Sequence, residues 1–302
     1  MSKNDYKGKQ SPSNQSSTTT IDAHTRILPV KREQIKLDKP ILIAGFPDNG
    51  MVGSICINYI IEQLAMHQIA FVESEYVMPA ALFIGKKFRH PFRIYANDKG
   101  NVCAMICEVP VILRGAPSIT NAVINWANNS QSKQVVVIGG IAPSNFSPSF
   151  LVDRKALLLQ NSLLQENGQM PHSNEVSSDS ENDDNNNNNL AQSRISKMVI
   201  PDSAIVPGLT GSLLSSCATR SIACTAIMVP TMGDVPDPEG AAVVLEGLNE
   251  IVPKIAMDTS ELRREAEEIK KRLDEFMKMQ QRHMSQYGQA ATDRPAVEGI
   301  YK

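Results

Sequence analysis

Six residues with the right types to bind or turn over a ligand fall in two short loops. The first loop, Gly45-Phe46-Pro47-Asp48-Asn49-Gly50, is followed by Gly53, and the second is Gly139-Gly140. Glycines at a helix N-terminus let backbone N–H groups converge on an anion, so Gly45, Gly50 and Gly53 could form an anion-binding turn. Their spacing is neither GxGxxG nor GxxxxGK[ST], and the loop has no lysine to meet a phosphate, which favours a tight structural turn. The polar residues Asp48, Glu73, Glu75, Glu108, Arg114 and Asp234 fall at expected strand ends, where any could line a crevice. No two of them have a spacing that fixes an acid and a base, and Ser54 is not in a GxSxG elbow. There is no CxxC, and the histidines at 24, 67, 90, 172 and 283 are scattered, so neither a metal site nor a catalytic residue is expected. The interior methionines, such as Met78, Met105 and Met228, read as core filler, and no cofactor is expected.

The elements that must hold these loops are legible around them. Ile41–Ala44 is long enough for one buried strand, and after the loop Met51, Ile55, Tyr59 and Leu64 recur at helical spacing. Strand, tight loop and helix form half of a βαβ unit and predict a parallel sheet with flanking helices. Such sheets bind ligands at the carboxyl ends of their strands. Strands are expected at 68–75, 81–84, 88–95, 101–109, 134–139 and 222–229, and helices at 117–129, 208–221 and 237–251. The loop 96–100 reads as a hairpin between two of the strands, so the sheet is mixed, with a parallel core and an antiparallel flank. Residues 1–26 and the acidic, Asn-rich insertion 173–189 are too polar to bury much surface and are expected to be disordered around and within an α/β domain at 27–257.

The charge of −2 is nearly balanced and no run of about 18 apolar residues exists. Neither nucleic acid nor a membrane is an expected partner. The N-terminus lacks an apolar leader, and the odd set of cysteines (56, 103, 107, 217 and 224) sits in apolar contexts. Both point to a soluble cytoplasmic protein with reduced thiols.

The C-terminal region differs in kind. Asp258 with Glu261 opens a helix over 258–285, and Leu262, Ala266, Ile269, Leu273 and Phe276 step by four and three, as in a short coiled-coil seam between copies or against the body. A flexible stretch, 286–302, ends in Ile300-Tyr301-Lys302. An apolar residue and an aromatic beside a free carboxylate are what a terminal docking plug needs.

Several stretches carry a family likeness: GFPDNGMVGSICINYIIEQL at 45–64, ESEYVMPAALF at 73–83, HPFRIYA at 90–96 and VVVIGGIAP at 135–143. VPGLTGSLLSSCATRSI at 206–222, PDPEGAAVVLEGLNEI at 236–251 and the MDTSELRREAEEI run continue it. Together they resemble the archaeal proteasome assembly chaperone family. The resemblance implies a three-layer α/β body similar to purine nucleoside phosphorylases but without that active site, self-association into a homo-oligomer, and binding to the α subunits of the proteasome core particle. It also implies that Ile300, Tyr301 and Lys302 form the hydrophobic-Tyr-X motif that enters the α-ring pockets, with no enzymatic activity. The long N-terminal tail and the insertion depart from the family pattern. The rival expectation is a nucleoside- or nucleotide-handling enzyme using the Gly45–Gly53 crevice.

Overall fold

The computed structural model describes residues 24–30, 35–84, 86–142, 154–161, 198–231, 233, 235–268 and 271. The expected insertion, most of the N-terminal tail and the terminal Ile300-Tyr301-Lys302 lie outside them.

Nine strands form the main sheet. They are β1 (Thr25–Pro29), β2 (Ile41–Gly45), β3 (His67–Ser74), β6 (Phe92–Ala96), β7 (Val102–Cys107), β8 (Gln134–Ile141), β9 (Ala156–Gln160), β10 (Met198–Val199) and β11 (Cys224–Pro230). Their order is β1-β3-β6-β7-β2-β8-β11-β9-β10, and β4 (Leu82–Ile84) with β5 (Lys87–Arg89) makes a separate hairpin. The four central strands β7, β2, β8 and β11 are parallel, and the pairings β1/β3, β3/β6, β6/β7 and β9/β11 are antiparallel. The β6–β7 hairpin closes through the expected loop, with the Asn97 side chain accepting the amides of Asn101 and Val102.

Helices cover both faces. α1 (Val52–Gln63) packs on α4 (Pro238–Ile251), and α2 (Ala116–Asn129) packs on α3 (Gly208–Thr219). Side chains alternate across a strand, so neighbours on β2 enter opposite layers: Leu42 joins α2 and α3, while Ile43 joins α1 and α4. Both are fully buried, each contributing roughly 1.5–3 kcal/mol of transfer free energy. The expected three-layer architecture with a mixed sheet is therefore the observed one.

Four local expectations are corrected. The expected strand 88–95 is two strands, because Pro91 has no N–H for a ladder; β5 leaves with the small hairpin and β6 stays in the main sheet. β9 was not expected, since ALLLQ contains no β-branched or aromatic residue to favour a strand. Gly139 and Gly140 do not begin a loop. They remain in β8, opposite Met228 and Val229 of β11. Thr25 and Arg26, assigned to the tail, pair with Ser74 and Glu73 in β1.

After α4 the chain turns into a further helix, α5, at residues 260–268. Asp258 Oδ1 accepts the Ser260 amide at 2.9 Å, in the first turn of α5. Arg263 reaches Glu246 of α4 at 2.6 Å, and the Tyr59 hydroxyl of α1 donates to the Asp258 carbonyl. Leu262, expected in a seam between copies or against the body, is 3% exposed and packs against the body, in the chain's own α1–α4 layer, and Ala266 is half-buried. Ile269, Leu273 and Phe276 lie outside the described residues.

Candidate functional site: the loop after β2 and the end of β8

The β2–α1 loop crosses the carboxyl end of the parallel core. Gly50 and Met51 both adopt left-handed backbone, at φ 68° and φ 53°, which turns the chain sharply into α1. Gly50 suits such a turn; Met51 does not, and holding it there costs about 1–3 kcal/mol of strain. Backbone bonds compensate. The Gly50 amide donates to the Gly233 carbonyl at 3.1 Å, and the Asp237 amide donates to the Gly50 carbonyl at 2.8 Å.

Asp48 sits at the centre. Its Oδ2 accepts the amides of Gly53 at 3.0 Å and Gly140 at 2.7 Å, while Oδ1 is buried with no hydrogen bond. Burial pushes its carboxyl up to about 7, against the opposing pull of the Gly140, Gly53 and Val52 amides. The space around it is filled. A Cβ on Gly139 would lie 2.1 Å from Asp48 Oδ2, and one on Gly140 would lie 2.0 Å from the Asn49 carbonyl oxygen.

A second acid completes the cluster. Asp237 caps α4 by accepting the Gly240 amide at 2.9 Å and the Thr231 hydroxyl at 2.8 Å, and it pairs with Arg154. Burial would raise its pKa, but the Arg154 guanidinium, the Gly240 amide and the Thr231 hydroxyl outweigh it and hold the carboxyl below the usual range.

The six residues named from sequence, Gly45, Asp48, Gly50, Gly53, Gly139 and Gly140, thus converge, although Gly45, Gly53, Gly139 and Gly140 belong to β2, α1 and β8. What they form is a filled joint. The Gly53 and Gly140 amides that an anionic ligand would need are taken by the chain's own carboxylate.

The other candidate acids are dispersed. Glu73 pairs with Arg26 at 3.3 Å and Glu75 with His24 at 2.8 Å beside β1, while the Arg114 guanidinium lies 5.9 Å from the centre of the Tyr76 ring. Glu108 pairs with Arg93, which is 0% exposed and also donates to the Tyr95 hydroxyl at 2.9 Å. The other Glu108 oxygen accepts from Asn58 of α1 at 3.2 Å, and Ser54, buried nearby, gives its carbonyl to the same Asn58. Asp234 lies outside the described residues. All five cysteines are buried and free, with burial pushing Cys103 and Cys107 up to about 12.

Sequence reasoning missed Arg154, Thr231 and Arg93. Arg93 alternates with apolar neighbours in FRIYA as an outward residue would, and only the inward partners Tyr95 and Glu108 explain its burial. Asp237 before Pro238 and Glu239 was a readable helix start; its ion pair with Arg154, 83 residues away, was not.

The fold and the site define a three-layer α/β/α body whose loop cluster at the carboxyl end of the parallel strands is filled by its own Asp48 side chain. The chain belongs to the PAC2 family, whose profile matches residues 42–277. Among solved structures, a Thermoplasma acidophilum protein of unknown function is 27% identical, with TM-score 0.58, over 82% of this chain and 92% of its own. Pyrococcus furiosus PbaA, an archaeal homologue of proteasome-assembly chaperone, is 20% identical with TM-score 0.66, over 89% of this chain and 99% of its own. Pyrococcus furiosus PbaB, an archaeal proteasome activator, is 16% identical with TM-score 0.63, over 84% and 99%.

Proposed function

We propose that this protein is a non-enzymatic, homo-oligomeric chaperone or activator of the proteasome core particle, docking on α subunits through Ile300, Tyr301 and Lys302. The observation that carries this reading is membership of the PAC2 family together with a fold shared with PbaA and PbaB; the Asp48 joint, which occupies the Gly53 and Gly140 amides, is what speaks against the rival enzyme. That kinship supports a proteasome partner. A nucleoside- or nucleotide-handling enzyme would have to displace Asp48 before those amides could meet a phosphate. In the proposed mechanism Ile300 fills the apolar part of an α-ring pocket, Tyr301 helps open the gate, and the Lys302 carboxylate pairs with a pocket lysine. Several such arms on one oligomer turn weak single contacts into useful avidity.

The test is hydrolysis of a fluorogenic peptide by archaeal core particles, with co-sedimentation, comparing the full chain with one lacking Ile300-Tyr301-Lys302. Stimulation and binding that vanish with the three residues support the docking arm. Binding that survives truncation moves the interaction to the globular body, and no binding by either form overturns the proposal.

A further inference from the structure

Two of the buried thiols are bonded to each other. Cys217 lies in the last turn of α3 and Cys224 opens β11, and the Cys224 thiol donates a hydrogen bond to the Cys217 sulfur. The local backbone builds this contact. The Ile222 amide donates to the Cys217 carbonyl at 3.0 Å and the Ser221 amide to the Ala218 carbonyl at 3.4 Å, with Ser221 in left-handed backbone at φ 54°. That is a Schellman turn, which ends a helix by reversing the chain over its last turn, and it lays Cys224 back beside Cys217. Asn161, just after β9, fixes the returning strand: its side chain accepts the Cys224 amide at 3.3 Å and donates to the Ile222 carbonyl at 2.6 Å.

The other thiols are placed differently. Cys56 and Cys107 donate to the Ala241 and Val109 carbonyls at 3.4 and 3.3 Å. Cys103 and Cys107 sit four residues apart on β7. At ~3.3 Å per residue their Cα atoms are about 13 Å apart, beyond the roughly 7 Å that a disulfide can bridge. Cys217 and Cys224 are both fully buried, but the cover is thin. Ala218, Thr219, Arg220 and Ser221 are exposed, so fraying of the last turn of α3 opens the Cys217 sulfur to solvent. The hydrogen bond from Cys224, against burial and with help from the Arg220 guanidinium, holds the Cys217 thiol below its usual range. The same bond, with burial, pushes Cys224 up.

We propose that Cys217 and Cys224 form a reversible dithiol–disulfide site whose oxidant is a small peroxide, with Cys217 as the nucleophile and Cys224 as the resolving thiol. The Cys217 thiolate attacks one peroxide oxygen: an S–O bond forms, the O–O bond breaks, and the second oxygen leaves as hydroxide and takes up the proton that Cys217 released. The Cys224 sulfur then attacks the sulfenic sulfur. An S–S bond forms, the S–O bond breaks, and that oxygen leaves as water with the Cys224 proton. Two electrons pass from the sulfurs to the peroxide, and a dithiol reductant returns them by exchange. The oxidised form ties the end of α3 to β11. This site belongs to the body and stands whatever the terminal tail engages.

The experiment treats the reduced full-length chain with hydrogen peroxide, alkylates it in denaturant and maps it with trypsin. Arg220 lies between the two cysteines, so trypsin separates them and the disulfide shows as two peptides joined until reduction. That linkage is expected, with Cys56, Cys103 and Cys107 still alkylated and with full reversal by dithiothreitol. Cys224→Ser is expected to stop at a sulfenic acid on Cys217 that dimedone labels, and Cys217→Ser to slow oxidation roughly tenfold or more. Both variants are checked for the wild-type far-UV spectrum, and the wild-type map decides alone if either misfolds. An unchanged wild-type map, oxidation that falls first on Cys56, Cys103 or Cys107, or undiminished oxidation of folded Cys217→Ser would each overturn the proposal.

Discussion

Asp48 Oδ2 accepts the Gly140 amide at 2.7 Å across 92 residues of chain, joining the loop after β2 to the end of β8. The bond satisfies the Gly140 amide within the chain. It also places an acid where its charge is hard to keep.

That placement sets a pH dependence. With its pKa raised from 3.8 to about 7, folded Asp48 holds a proton between those values that the unfolded chain has released. Stability from this group is fully present below about pH 4, falls as the pH rises towards 7, and is level beyond. Asp48→Asn is expected to remove this slope. Asp48→Ala should in addition leave the Gly53 and Gly140 amides unpaired, at about 1–3 kcal/mol. Thermal melts of the three proteins between pH 5 and 8 read both effects.

Asp237 titrates with the opposite sign. Its folded pKa is lowered, so its contribution is present above the unfolded value and is lost as the pH falls through the folded one. Asp237→Asn, which weakens the α4 cap and the Arg154 pair, is expected to cost about 1–3 kcal/mol near neutrality. The difference from wild type should shrink in urea melts taken below pH 4.

The glycines of β8 should couple to Asp48 differently. A methyl at Gly139 collides with the Asp48 carboxylate, and a methyl at Gly140 collides with the Asn49 backbone. Each alanine alone is expected to cost about 1–3 kcal/mol by overpacking. In double-mutant cycles, Asp48→Ala should relieve much of the cost of Gly139→Ala and none of that of Gly140→Ala. Equal coupling in the two cycles would refute this geometry.

The buried Arg93–Glu108 pair should be costly to halve and cheap to delete. Glu108→Gln or Arg93→Met alone is expected to lose about 3–5 kcal/mol, because one charge stays buried without its partner. Arg93→Met with Glu108→Leu should recover most of that loss in chemical denaturation.

How far the sequence discloses this molecule depends on the range of the interaction. β2, α1 and β8 are visible because their apolar periodicity is local, and the βα loop is visible because glycine, proline and aspartate mark turns. The filling of that loop is invisible, since it depends on Gly140 reaching Asp48 and on Arg154 reaching Asp237 through the sheet order. Leu262 shows the same limit. Its heptad spacing is real, but tertiary packing directs it into the α1–α4 layer.

The strand order also divides the polypeptide in time. β1, β3, β6, β7 and β2 all precede residue 108 and form one contiguous half-sheet, while β8, β11, β9 and β10 supply the other half. A ribosome therefore delivers a half-sheet whose open edge is β2, a strand with Leu42, Ile43 and Ala44 fully buried in the finished protein. Until β8 emerges, that edge is a template for any other extended chain nearby. The bond from Asp48 to Gly140 crosses this seam, so it forms only once β8 has covered that edge, and the open edge then passes to β8 until β11 is made.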